Sequence, residues 1–186
     1  MKANMPGIFS QYIIHADLRP QQQTRSSGFF KLNIYQTKQL LTELDNQLSQ
    51  ANMDRVEEVS QRLMDSICCQ IKKDKKHVPA LRVHVLGVRP SDDRGALHGL
   101  YEPADSDRYR ARMYIWMRTA KRHEVVAFKT FIRTLIHELC HHLDYEFYQR
   151  QESLHTKEFY RRESCLVKQL WSCLDNESVN NEFSIG

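Results

Sequence analysis

The sequence predicts an α+β fold. Three observations carry the prediction. Apolar residues recur at helical spacing in two early stretches, alternate at period two in the middle of the chain, and return to helical spacing in the last third. Helices, then strands, then helices is the order of an α+β domain.

Residues 1 to 28 are rich in Gln, Arg, Ser and Pro, show no sustained period and read as a flexible arm. Leu40, Leu41, Leu44 and Leu48 mark a first helix. Val56, Val59, Leu63, Ile67 and Ile71 mark a second, with Asp54 and Glu57 spaced as a capping box at its start. Pro79 ends this pattern. Leu81, Val83 and Val85 then alternate with Arg82, His84 and Leu86, the signature of a strand. Ser91 to Gly95 reads as a turn, Leu97 to Tyr101 as a second short strand closed by Pro103, and Asp105 to Arg110 as a polar loop. Arg112 to Arg118, RMYIWMR, is dense in β-favouring residues and forms the third strand.

A long helix is expected from a start between Arg122 and Ala127 to about Tyr148. Phe128, Ile132, Leu135, Ile136, Leu139, Leu143 and Phe147 form its apolar stripe. Thr156 is positioned to cap a last helix that carries Phe159, Leu166, Val167, Leu170 and Leu174 on one side. Residues 176 to 186 are polar and read as a loose tail. Neither an internal repeat nor an interdomain linker interrupts residues 29 to 175, which read as one domain.

Composition narrows the function classes. A chain of 186 residues, 41% hydrophobic and 27% charged, can bury one real core. No apolar run approaches the roughly 18 residues of a membrane span. The first twenty residues lack the apolar stretch and small-residue site of a secretory signal. A cytoplasmic protein without a membrane partner is expected. Cys68, Cys69, Cys140, Cys165 and Cys173 are odd in number and form no CxxC pair, which argues for reduced thiols over disulfides or a cysteine-built zinc ribbon. The net charge of +4 is mild. Lys72-Lys73-Asp74-Lys75-Lys76 reads as a solvated helix end, where the dipole favours cations, with nucleic-acid binding as the weaker reading.

The chemistry concentrates in His137-Glu138-Leu139-Cys140-His141. Two histidines four residues apart on a helix share one face and can grip one metal ion. Glu138 lies about 100° round the helix from His137, so it flanks the metal and can take a proton from zinc-activated water. It can then pass that proton to the leaving amine. Catalytic zinc takes three protein ligands. His155, just before the last helix, is the choice for the third, with Glu152, Glu158 and Glu163 as rivals. Asp144 shares the histidine face and could hold a ligand imidazole. His142 and Cys140 point elsewhere, and His15, His77, His84, His98 and His123 have no partner spacing. Tyr145, Tyr148, Tyr160, Arg161 and Arg162 are close enough in sequence to assist a developing oxyanion, and spacing does not choose among them.

The runs TLIHELCHHLDYEF and LHTKEFYRRESCLVKQL, preceded by GLYE and RMYIWMR, resemble the SprT-like zinc metallopeptidases and other small zincins over about residues 80 to 175. The match is to a small single-domain form without the C-terminal cysteine zinc ribbon that such proteins often carry. The resemblance implies a small sheet against the active-site helix, zinc on His137, His141 and His155, and Glu138 as general base. It also implies that Arg112 to Met117 is an edge strand that pairs with an extended polypeptide substrate. Some members cleave proteins crosslinked to DNA, but segments that deliver DNA binding are not evident in this sequence. Two other classes stand beside the peptidase: a non-catalytic module in which zinc staples a protein- or DNA-binding fold, and a zinc metallohydrolase acting on small molecules. Glu138 weighs against the staple, which has no need of a carboxylate there.

Overall fold

The computed structural model describes residues 32–73, 76–93, 95–105 and 110–175. The expected arm, the expected tail and residues 106–109 of the expected polar loop lie outside them. The described chain is α+β.

Helices α1 (Ile34–Ser49) and α2 (Met53–Gln70) pack on each other through the predicted leucine and valine stripes, all buried. A three-residue connection joins them, with Ala51 in the left-handed region at φ 54°. The cap of α2 differs from expectation. Asn52, not Asp54, caps the helix, its side chain accepting the Arg55 N–H at 3.3 Å. Glu57 turns instead to the sheet and accepts the Val85 N–H at 2.9 Å. Asn52 wins because it directly precedes the first helical turn, where a short side-chain oxygen reaches the orphan donors.

The lysine run is not a helix end. Ile71 is fully buried and extended (ψ 112°), and it closes α2. Lys72–Lys73 (β1) then pairs antiparallel with Lys76–His77 (β2).

The main sheet has three strands: β3 (Arg82–Val88), β6 (Gly99–Glu102) and β7 (Arg112–Arg118). Between them, β4 (Ser91–Asp92) and β5 (Gly95–Ala96) form a small hairpin, with Gly95 at φ 140°. Strand order is β3-β7-β6, parallel between β3 and β7 and antiparallel between β7 and β6. This corrects the expected edge: Arg112 to Met117 runs in the centre, hydrogen-bonded on both sides, and cannot accept a further strand. Period-two alternation is the same in central and edge strands, so the pattern along β7 carries no information on its neighbours.

Among the described residues, no strand pairs with the far side of β6. The Trp116 N–H donates to the His98 carbonyl at 3.3 Å. By antiparallel alternation, Leu100 and Glu102 then bond to β7, and the backbone N–H and C=O of Gly99 and Tyr101 point to the free edge.

The core lies between one face of this sheet and the helices. Val83, Val85, Tyr101, Met113, Ile115 and Met117 are buried there; α2 packs on β3, and α3 (Phe128–His142) packs on β6 and β7. Burial of each large aliphatic or aromatic side chain contributes on the order of 1.5–3 kcal/mol. Phe131, absent from the expected stripe, is 1% exposed, whereas Phe128 rests half-buried against Trp171. The helix does not continue in α form to Tyr148. It widens into a π-helical turn, Leu143–Phe147. The last helix, α4 (Lys157–Asp175), packs on α1 and α3. Thr156 caps it as predicted, its hydroxyl accepting the Phe159 N–H at 3.2 Å. Its buried stripe ends on Cys173, with Leu174 only partly covered. All five cysteines are free. Among the described residues, no helix is long and apolar enough to cross a membrane.

Candidate metal centre

Helical spacing brings the rings of His137 and His141 to 5.0 Å between centroids. After the π-helical turn, Gln149 adopts φ 55°, and the chain reverses before α4 begins. His155 arrives on this returning segment. Its ring lies 4.8 Å from that of His137 and 5.1 Å from that of His141. One nitrogen of each imidazole falls within 4.8 Å of the others. Phe159, fully buried on α4, forms the floor, its ring 5.0, 4.8 and 4.9 Å from those of His137, His141 and His155.

Hydrogen bonds on the far nitrogens set the tautomers. His141 Nδ1 meets Ser153 Oγ at 2.7 Å, and the Ser153 hydroxyl donates to Asp144 Oδ2 at 2.8 Å. With its proton committed, Ser153 can only accept from His141. His137 Nδ1 lies 3.2 Å from Glu163 Oε2, a carboxylate that likewise accepts. Both motif histidines therefore carry the proton on Nδ1 and present the Nε2 lone pair. His155 turns its own Nε2 to within 3.2 Å of His141 Nε2. Asp144, fully buried, is held in turn by Arg162 at 2.5 Å and Arg150 at 3.4 Å.

Electrostatics agree with this geometry. Burial, reinforced by His137, His155 and Arg162, pushes the His141 pKa down to about 3. Burial and His137 also lower that of His155. Neutral imidazole is the form that binds metal. A donor set of three imidazoles, two of them oriented by carboxylates directly or through one hydroxyl, fits a zinc ion.

Glu138 sits beside this group and is 5% exposed. Among the described residues it has no hydrogen-bond partner. Its carboxyl is pushed up to about 8, chiefly by burial and then by Glu163. It is wedged under β6: a Cβ on Gly99 would lie 2.4 Å from Glu138 Oε1 and 2.7 Å from Thr134 Cγ2. Only a glycine leaves that space, so the smallest residue of β6 stands over the motif carboxylate.

The other candidates sort themselves by place. Glu163 contacts His137 from behind, and Glu152 and Glu158 are exposed outside the imidazole group. Arg162 is committed to Asp144, with its guanidinium 5.1 Å from the Tyr148 ring centre. Tyr145 stacks on Tyr101 at 5.9 Å. Arg161 lines a shallow depression on α4 with Ser164 and Lys168. Tyr160, 50% exposed, lies 5.8 Å from the His155 ring. His142 is fully buried and away from the group. Its Nε2 donates to the Pro79 carbonyl at 2.8 Å, so its Nδ1 accepts from the Tyr101 hydroxyl at 3.0 Å. His84 stacks on Tyr114 and His98 contacts Arg89, both outside the imidazole group. His15 lies outside the described residues. Ser153 was invisible to spacing arguments; its one signal is a hydroxyl two residues before His155.

Neither a protein-family model, nor a curated protein, nor a solved structure matches the chain.

Proposed function

We propose that this chain is a zinc metallopeptidase of the SprT-like kind, hydrolysing peptide bonds of an extended polypeptide. The observation that carries the reading is the placement of Glu138: a buried carboxyl group without a hydrogen-bond partner among the described residues, one residue from His137 in the group of three imidazoles. A structural zinc staple gives such a carboxylate nothing to do.

His137, His141 and His155 would hold the ion through Nε2. Bound there, zinc would lower the pKa of water to about 7 and polarise a carbonyl. Glu138 takes the proton of the attacking water and delivers it to the leaving amine. In the metal-free protein burial favours the protonated carboxyl; the charge of a bound ion would favour the carboxylate that accepts the proton. Glu163 and the Asp144–Ser153 pair keep the imidazoles in one tautomer. Gly99 and Tyr101 offer the free backbone groups of the β6 edge to an extended peptide, which would add as a further strand. Five free cysteines suit a reducing compartment, and the cytoplasm is the proposed location.

The test is zinc analysis together with cleavage of an unfolded protein. Glu138→Gln should keep zinc and lose at least about a hundredfold in rate, and His155→Ala should lose stoichiometric zinc while Glu158→Gln keeps it. A Glu138→Gln protein with full zinc and full activity would refute the assignment. Stoichiometric zinc with no cleavage by the wild type would favour the staple.

A further inference from the structure

Two of the contacts between β6 and α3 involve residues directly beside the proposed ligands. Gly99 receives the carboxylate of Glu138, and Tyr101 bonds His142. On the helix the two partners are four residues apart, a rise of about 6 Å. On the strand they are two apart, a rise of about 6.8 Å. The two periods match within an ångström, so strand and helix interlock at both points only in this register. A slip of one residue along β6 would drive a side chain into Glu138 and turn Tyr101 out of the core.

The Tyr101 end of this lock is the stronger one. The ring is 5% exposed, stacks on Tyr145 at 5.9 Å and meets His142 edge-on at 5.7 Å. Its hydroxyl donates to His142, whose other nitrogen is fastened to the Pro79 carbonyl, and it also faces the Glu146 carboxylate. The strand is thus tied through one imidazole to the segment that leads into β3. The atoms of these hydrogen bonds lie outside the imidazole group, which the Tyr101 ring meets by stacking on His141 at 6.5 Å.

We propose that Tyr101 is a positioning residue that sets the height of the β6 edge relative to His137 and His141, and so decides which bond of a peptide added to that edge lies at Glu138. The inference rests on the peptidase reading above. It predicts that loss of the Tyr101–His142 bond moves the cleavage point and slows turnover without touching the ligand set.

The experiment compares zinc-loaded wild type with Tyr101→Phe and His142→Gln, which break the same bond from opposite sides. Casein is the substrate, fragments are mapped by mass spectrometry, and the visible spectrum of the cobalt-substituted proteins reports on the ligands. Both variants should keep the wild-type cobalt spectrum and a KM within a few-fold. Their kcat should fall about ten- to hundredfold, and their fragments should show cuts displaced to neighbouring bonds. Wild-type kcat and fragments in both variants would overturn the assignment. So would an altered cobalt spectrum in both, since Tyr101 would then act on the ligands. No cleavage by the zinc-loaded wild type would instead overturn the peptidase reading and this assignment with it.

Discussion

Gly99 on β6 and Glu138 on α3 are in contact so close that a single methyl group on Gly99 would stand 2.4 Å from the carboxylate oxygen and 2.9 Å from its carbon. The backbone of the edge strand thus forms one wall around Glu138, and the absence of a side chain at position 99 is what admits the carboxylate.

Gly99→Ala should therefore displace Glu138 while leaving the three imidazoles in place. Overpacking of this kind destabilises by about 1–3 kcal/mol, and a displaced base costs about a hundredfold in turnover. Zinc stoichiometry and kcat on an unfolded protein would check both. An alanine variant with unchanged kcat would show that the base does not need this seat.

Stability of the metal-free protein should depend on pH through Glu138. Its folded pKa is raised from 4.5 to about 8. Across that window the folded chain keeps a proton that the unfolded chain has released. The contribution to stability is therefore full below about 4.5 and is lost as the pH rises through about 8. Glu138→Gln lacks this loss. Urea denaturation with a chelator should find the variant gaining on wild type between pH 5 and pH 8.5, by on the order of a few kcal/mol. Equal gaps at both pH values would contradict the buried, unbonded carboxylate.

Metal affinity should resist acid better than three free imidazoles would. His141 is pushed down to about 3 and His155 is lowered as well, so neither competes strongly with protons near pH 6. In the Glu138→Gln background, which removes the carboxyl proton, log affinity for zinc between pH 5 and 6.5 should rise with a slope well below three per unit. Competition titration with a chromophoric chelator measures this slope, and a value near three would refute it.

The Asp144–Ser153–His141 chain should tune affinity more than fold. Ser153→Ala removes the acceptor for His141 Nδ1 and should weaken zinc binding about tenfold or more. Asp144→Ala should do the same and also destabilise by about 3–5 kcal/mol, because it strands Arg162 against a buried site. Equilibrium dialysis and thermal melts separate the two effects. Zinc affinity unchanged in both variants would remove the relay from the account.

Local periodicity determined a large part of this protein. The helical stripes of α1, α2 and α4, the alternation along β3 and β7, the Thr156 cap and the i, i+4 pairing of His137 with His141 are all set by residues within a turn or two of each other. Such interactions can be read without knowing where the chain goes next. Even there, competition within a few residues misled: Asn52 caps α2 in place of Asp54, and Lys72–Lys73 pairs as a strand with Lys76–His77. What only the tertiary structure decided is non-local. The central position of β7 and the free edge of β6 follow from strand order, which alternation does not encode. The arrival of His155 beside His137, the placement of Glu163 behind that ring, the Ser153 bridge and the Tyr101–His142 bond each join segments that are distant along the chain. The seat of Glu138 under Gly99 is of the same kind. Neither residue type is informative alone, and the contact exists because the packing of α3 against β6 closes a gap that only a missing side chain could leave.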